Sequence, residues 1–476
     1  MSSRSSTIVC LSAGLLRPKK RDTPLARQNL YMNYGLLGLA TVLHRAGLDT
    51  LVVDGLFEPP SAVVGRLFAQ GHLPSRSPIL LSLLSSLALG WAAEAVAEIR
   101  RHDPLAKIVV GGRWVTADDG VWIRRKLPGI DLVVYGTAEA RILDLVRPDR
   151  WVTARGTDLR PGVLPPDRAP HRIAYDLMHG YLRYQPSFEV SRGCGMGCSF
   201  CAEATTPLGP LKSPTEVADE LEHCARLYGE HELHPYAEAS FFRPDGLWCT
   251  ELGQILRARG LALPWRTETR VDALSEKHIE ALARAGLRVV DLGLESASPA
   301  QLVAMKKTPN PAIYLERASR LLAACRDAGI WVKANILLHA GETRRSLDET
   351  REWLHRHRSA IKGVSVGPTI VFRYGRQTRA YLASLATMGA HAVDPNALER
   401  DGFAHLHLSD ELPHEAAVEA SLALSRELMT ARDYFDLKSF SYLARGTTWE
   451  EFVCWTYDID PNALSFRMPE MLAQVA

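Results

Sequence analysis

A chain of 476 residues, 46% of them hydrophobic and 23% charged, is too long for one ordinary core and reads as a globular protein of two or three domains. Its formal net charge of +2 carries no electrostatic footprint of a nucleic-acid binder or of a protein held on an anionic membrane. Eight cysteines, three of them in one short run, do not make a secreted disulfide framework.

The first apolar stretch, residues 7–12, is too short for the core of a secretory signal and reads as a strand. The most apolar segment, residues 78–96, contains three serines, Gly90 and Glu94, so it reads as a buried strand and helix rather than a membrane span. A cytoplasmic protein is expected, in a compartment where thiols stay reduced.

Strand and helix alternate from residue 7 to residue 147. Strands are predicted at 8–11, 50–54, 79–81, 107–111 and 131–135, with a helix over 34–46 that stops at Gly47 and another over about 90–101. This alternation predicts an α/β domain, a doubly wound and mostly parallel sheet over residues 1–149. Ligands of such sheets lie at the carboxyl ends of the strands. There the sequence places Ser82, Ser85, Gly111, Gly112 and Gly136, small enough to let a large ligand approach the backbone, or simply to close tight turns.

Residues 150–186, with Pro161, Pro165, Pro166 and Pro170, read as a linker. A strand over 188–191 then runs into Ser191-Arg-Gly-Cys-Gly-Met-Gly-Cys-Ser-Phe-Cys201. Cys194, Cys198 and Cys201, loosened by intervening glycines, can hold three irons of a 4Fe-4S cluster and leave the fourth iron without a protein ligand. Structural zinc usually takes four ligands in two separated pairs, and no second pair has suitable spacing here.

Further strands are predicted at 236–242, 265–269, 289–294, 331–338 and 363–368, with helices over 275–285, 313–328 and 346–357. Six βα units with a metal loop after the first strand predict a partial (β/α)6 barrel over 187–371. Polar residues at its strand ends are candidates for the pocket: Arg270, Glu295, Ser296, Gly341 and Glu342, with His339 as a candidate proton donor. Glu238 and Glu216 are candidate bases. Residues 372–476 read as a mainly helical tail, with one long amphipathic run over 415–434 and an aromatic cluster of Trp449, Phe452, Trp455 and Tyr457. That cluster is either packing between helices or a cover for the barrel.

The cysteine loop, C-x3-C-x-Phe-C, resembles the signature of the radical S-adenosylmethionine (SAM) superfamily, and the similarity in pattern runs from about residue 188 to about residue 368. The resemblance implies that SAM binds the open iron and is cleaved to a 5′-deoxyadenosyl radical that takes hydrogen from a small-molecule substrate. An electron donor such as flavodoxin or ferredoxin is implied with it. Phe200 would lie against the adenine, and Glu295, Ser296, Gly341, Glu342 and Arg270 would contact SAM. The N-terminal domain, through Tyr34-Gly-Leu-Leu-Gly-Leu-Ala-Thr-Val-Leu43, Val109-Val-Gly-Gly112 and Val133-Val-Tyr-Gly-Thr-Ala-Glu139, is similar to the cobalamin-binding domain that precedes many radical SAM domains. The Asp-x-His-x-x-Gly segment of the wider cobalamin group is absent, which leaves two readings: cobalamin held without that histidine, or a fold kept without its ligand.

Two reactions follow from these resemblances. The favoured one is cobalamin-dependent C-methylation of a natural-product intermediate, as in antibiotic biosynthesis. The alternative is cobalamin-free dehydration of an aminoglycoside-type sugar by a radical SAM diol dehydratase.

Overall fold

The computed structural model describes residues 4–20, 22–116, 120–147, 172–229, 232–375 and 377–468. Most of the predicted linker, residues 150–171, lies outside the described residues. The chain divides into two compact units, residues 1–181 with 372–378 and 396–404, and residues 182–371 with 379–395 and 405–476.

In the first unit the elements are β1 (Ile8–Ser12), α1 (Tyr34–Arg45), β2 (Thr50–Asp54), α2 (Pro60–Ala69), β3 (Ile79–Ser82), α3 (Leu89–His102), β4 (Ile108–Gly111), α4 (Gly120–Lys126), β5 (Leu132–Val133) and α5 (Ile142–Leu145). The strands pair in parallel in the order β2-β1-β3-β4-β5. The order reverses between β1 and β3, which is the switch point of a doubly wound sheet. Helices cover both faces, so the strands are mostly apolar, and Val9, Leu11, Ile79, Leu81, Ile108 and Val110 are almost wholly buried against Trp91 and Val96. The later segments belong to this unit through their hydrogen bonds. Trp114 Nε1 donates to Arg373 O at 2.9 Å, and Trp122 Nε1 donates to Glu399 O at 3.1 Å.

The second unit is built on β6 (Ser187–Ser191), α6 (Pro214–Tyr228), β7 (Tyr236–Ala239), α7 (Gly246–Ala258), β8 (Trp265–Arg270), α8 (Glu276–Arg284), β9 (Leu287–Glu295), α9 (Pro299–Ala304), α10 (Pro311–Asp327), β10 (Trp331–Leu338), α11 (Arg344–Arg356) and β11 (Gly363–Pro368). Its six strands pair in parallel in chain order, the topology of a (β/α)6 partial barrel. The helices start on local signals. Ser213 and Glu216 form a capping box on α6, and Asn310 caps α10 ahead of Pro311.

Alternate strand residues carry charge on one face. Arg266, wholly buried, grips Asp291 with Nε and Nη2, both at 2.7 Å, and Lys333 Nζ and Tyr236 Oη reach the same carboxylate at 2.7 and 2.9 Å. Burial disfavours the charge on Asp291, but Arg266 and Lys333 outweigh it and hold the carboxyl well below the usual carboxylate range.

The remaining elements are β12 (Ile370–Phe372), α12 (Gln377–Ala386), β13 (His391–Ala392), α13 (Ala397–Asp401), β14 (Phe403–His407), α14 (His414–Leu428), α15 (Ala431–Ser439) and α16 (Trp449–Thr456). The long helix expected over 415–434 is two helices. Met429 is extended, and Thr430 starts α15 with a capping box to Asp433, so a new helix begins where the amphipathic pattern shows no break. α14 packs on β11, while Leu437 O accepts from Arg266 Nη1 at 3.0 Å and the Tyr442 ring lies 4.7 Å from the Arg266 guanidinium. These residues sit at the amino ends of the strands and close the barrel floor. Trp449 and Phe452 pack with Phe435, and Phe452 also meets Phe466, which is packing between helices.

Candidate cluster-binding site

The loop after β6 folds back on itself. Cys194 N donates to Thr206 O at 3.0 Å, Gly197 N to Ala204 O at 3.1 Å, and Cys201 N to Cys198 O at 3.2 Å. Its base is tied to the strand by Gly209 N to Arg192 O and Lys212 N to Val190 O, at 2.7 and 2.8 Å. Gly193 has φ 75°, and a Cβ there would lie 2.0 Å from Pro207 O, so no other residue lets the loop close. Ser199 N donates to Met305 O at 2.9 Å and fixes the loop to the turn after α9.

Cys194, Cys198 and Cys201 are all free thiols, and Cys198 is buried while the other two are half-buried. Burial pushes the Cys194 and Cys201 thiols up. Among the described residues no three His, Cys, Asp or Glu side chains gather where a single metal ion would sit. A 4Fe-4S cube needs no such point, because each thiolate takes a different iron. Three soft donors on one closed loop therefore fit three corners of a cube.

Arg270 comes to this loop from the end of β8. Its Nη1 donates to Cys198 Sγ at 3.0 Å. Glu295, at the end of β9 with φ 68°, receives Lys307 Nζ at 3.1 Å. Phe200 meets the ring of His339 edge-on, with centroids 6.4 Å apart. His339 is wholly buried, its Nε2 lies 3.2 Å from Tyr381 Oη, and burial holds its pKa down at about 4. Burial thus favours the uncharged ring.

Other sequence candidates are bonded within the fold. Ser296 Oγ lies 3.1 Å from Thr350 Oγ1 and accepts from Ser298 N. Glu342 takes the Ser346 hydroxyl at 2.5 Å at the start of α11, and burial raises its carboxyl to about 7. Gly341 N donates to Leu408 O at 2.8 Å. Glu216 is a half-buried capping residue, its Oε2 accepting from Ser213 N and Oγ. Glu238 lies lower in the barrel, in register with Glu189, and burial followed by the Glu268 charge raises it to about 8. Lys307 and Tyr381 are residues of this site that sequence reasoning missed; nothing in their local pattern marks them.

In the first unit, Ser82 ends β3 and accepts from Asn33 Nδ2 at 3.1 Å, and the same amide donates to Ser12 Oγ at 3.2 Å. Ser85 precedes a short helical turn, and Gly111 O accepts from Leu83 N at 2.7 Å. A Cβ at Gly112 would lie 2.4 Å from Leu83 O, so that glycine serves contact between the chain's own segments. Gly136 follows β5 with φ 77°.

The segment that carries this loop and the strands around it, residues 188–354, matches the Radical SAM superfamily. An uncharacterized methyltransferase of Pyrococcus horikoshii, PH0819, is 26% identical over 294 residues, which cover 56% of this chain and 61% of that protein's length. The radical SAM methyltransferase TsrM of Kitasatospora setae, solved with cobalamin and a [4Fe-4S] cluster bound, superposes with a TM-score of 0.67 at 18% identity and covers 88% of each chain. The cobalamin-dependent radical SAM enzyme OxsB superposes with a TM-score of 0.56 at 17% identity, over 80% of this chain and 55% of that one. At such identities these are likenesses of fold. With the cysteine loop at the head of its barrel and the superfamily match around it, the chain carries a radical SAM domain over residues 188–354, of a superfamily that uses a 4Fe-4S cluster and SAM.

Proposed function

We propose that the protein is a cobalamin-dependent radical SAM methyltransferase that adds a methyl group to carbon in a small natural-product intermediate. One observation carries this reading: a three-thiol loop heads a (β/α)6 barrel in a chain that also holds a doubly wound sheet, and 88% of it shares the fold of TsrM.

When bound, the cluster supplies the electron that cleaves SAM, and cobalamin supplies the methyl carrier. Cys194, Cys198 and Cys201 would hold three irons. Phe200 would lie against the adenine. On the first sheet, Ser86 Oγ is buried and has no hydrogen-bond partner among the described residues, beside Ser85 at the carboxyl edge of β3. That orphaned hydroxyl fits a large polar ligand there. The loop after β1 contains no histidine before Tyr34, so cobalt would be held without a protein imidazole from that loop.

All eight cysteines are free thiols, which supports a reducing, cytoplasmic setting. No helix among the described residues is long and apolar enough to cross a membrane. The cluster would draw its electron from a carrier of the flavodoxin or ferredoxin class. Dehydration of a sugar draws no support from these relatives, and Glu216, one of its two candidate bases, is used as a helix cap.

The test is anaerobic reconstitution with iron, sulfide and cobalamin, followed by turnover with SAM. Corrinoid and iron–sulfur absorption should both appear, and each methylation should yield one 5′-deoxyadenosine and one S-adenosylhomocysteine. Cys198→Ala should abolish 5′-deoxyadenosine. Protein that binds the cluster but no corrinoid would overturn the cobalamin reading.

A further inference from the structure

Arg270 is placed against the cluster loop and spends its donors there. Nη1 donates to Cys198 Sγ at 3.0 Å, Nε and Nη2 donate to the two oxygens of Asp272 at 2.9 Å each, and Nη2 also donates to Lys307 O at 2.8 Å. A guanidinium has five N–H groups, and four are taken, so the paired fork that would grip a carboxylate of SAM is already closed on Asp272. Burial opposes the charge on Arg270, but the Asp272 carboxylate outweighs it and keeps the guanidinium firmly protonated.

The two charges face different surroundings. The Arg270 side chain is 7% exposed, beside the sulfur, whereas Asp272 is 19% exposed and lines an open cleft of about 490 Å³ with Arg243, Ser275 and Arg317. A buried positive charge that donates to a cluster sulfur stabilises the reduced cluster, which carries one more negative charge, over the oxidised one. The carboxylate behind it opposes that effect from the solvent side.

We propose that Arg270 and Asp272 form a charge couple that sets the reduction potential of the cluster: Arg270 raises it and Asp272 restrains it. Arg270 is then a positioning residue that acts through Cys198. The proposal rests on the cluster reading above. The step it governs is the addition of one electron to the cluster from an external low-potential donor, with no bond made or broken.

The experiment is a potentiometric titration of the reconstituted full-length protein, read by electron paramagnetic resonance of the reduced cluster. Arg270→Gln, which keeps an N–H donor but removes the charge, should make reduction about tenfold less favourable, a shift of about 59 mV to more negative potential for a one-electron couple. Asp272→Asn should move the potential in the opposite direction, and Arg270→Lys should lie near wild type. A purely structural role would not give shifts of opposite sign. Intact clusters with unchanged potentials in both variants, or shifts of the same sign, would overturn the proposal and leave the cluster reading standing. If Arg270→Gln loses its iron, the sign of the Asp272→Asn shift decides alone. A wild-type protein that never takes up iron would overturn both readings.

Discussion

The two units use the same βα alternation and fill it in opposite ways. In the first, both faces of the sheet lie under helices, and the strand residues are Val, Ile and Leu with hardly a charge among them. In the second, one face of each strand looks into a barrel, and that face carries Glu189, Glu238, Arg266, Glu268, Asp291 and Lys333. Charge inside a strand is therefore the mark of a lumen. A sheet covered on both sides has nowhere to put it, since a buried charge needs a partner or a ligand.

That contrast can be pressed by substitution. Asp291→Ala would leave Arg266, Lys333 and Tyr236 around an empty centre, and is expected to cost about 3–5 kcal/mol in denaturant melts, the scale for breaking a buried ion pair. Leu81→Ala in the first unit removes only packing and should cost about 2–5 kcal/mol. If the Asp291 variant were as stable as wild type, the charged layer would not be holding the barrel together.

A second probe uses pH. Glu238 is raised from 4.5 to about 8 by burial and then by Glu268, so the folded protein keeps a proton that the unfolded chain has released. Between those two values the native state binds more protons, and stability should fall as pH rises, by up to about 1.4 kcal/mol per pH unit. Glu238→Gln should flatten that decline between pH 5 and 8, measured as melting temperature against pH; an unchanged slope would show that Glu238 is ionised in the fold. The smallest effect belongs to the C-terminal helices. Thr430→Ala removes the cap that starts α15 and should cost about 1 kcal/mol.

Much of the fold was legible because it rests on periodic or local signals. Each strand of both sheets shows as a short apolar or alternating run, and Gly193 with its neighbours marks a loop that must turn sharply. The cysteine spacing was legible for the same reason, since three ligands on one loop are local. What escaped depends on distant partners. Lys307 becomes part of the site only because Glu295 lies across from it, and Tyr381 only because α12 brings it to His339. Arg270 stood out as a strand-end cation, but nothing near it in sequence says that a sulfur 72 residues earlier would take its N–H. The break at Met429 was hidden because the apolar pattern continues across it, while a capping threonine decides where the helix restarts.

The return of residues 372–378 and 396–404 to the first unit has a practical consequence. Gly402 sits with φ 78° in a niche where a Cβ would lie 2.9–3.0 Å from Ser86, Trp114 and Trp122, and both indoles donate to backbone carbonyls of these late segments. Expressed by itself, the amino-terminal third would present two bare tryptophan edges to water, and would be prone to aggregate before any corrinoid could be offered to it. Ligand-binding studies on the first sheet thus call for the whole polypeptide, or for a graft that restores both late strands of chain.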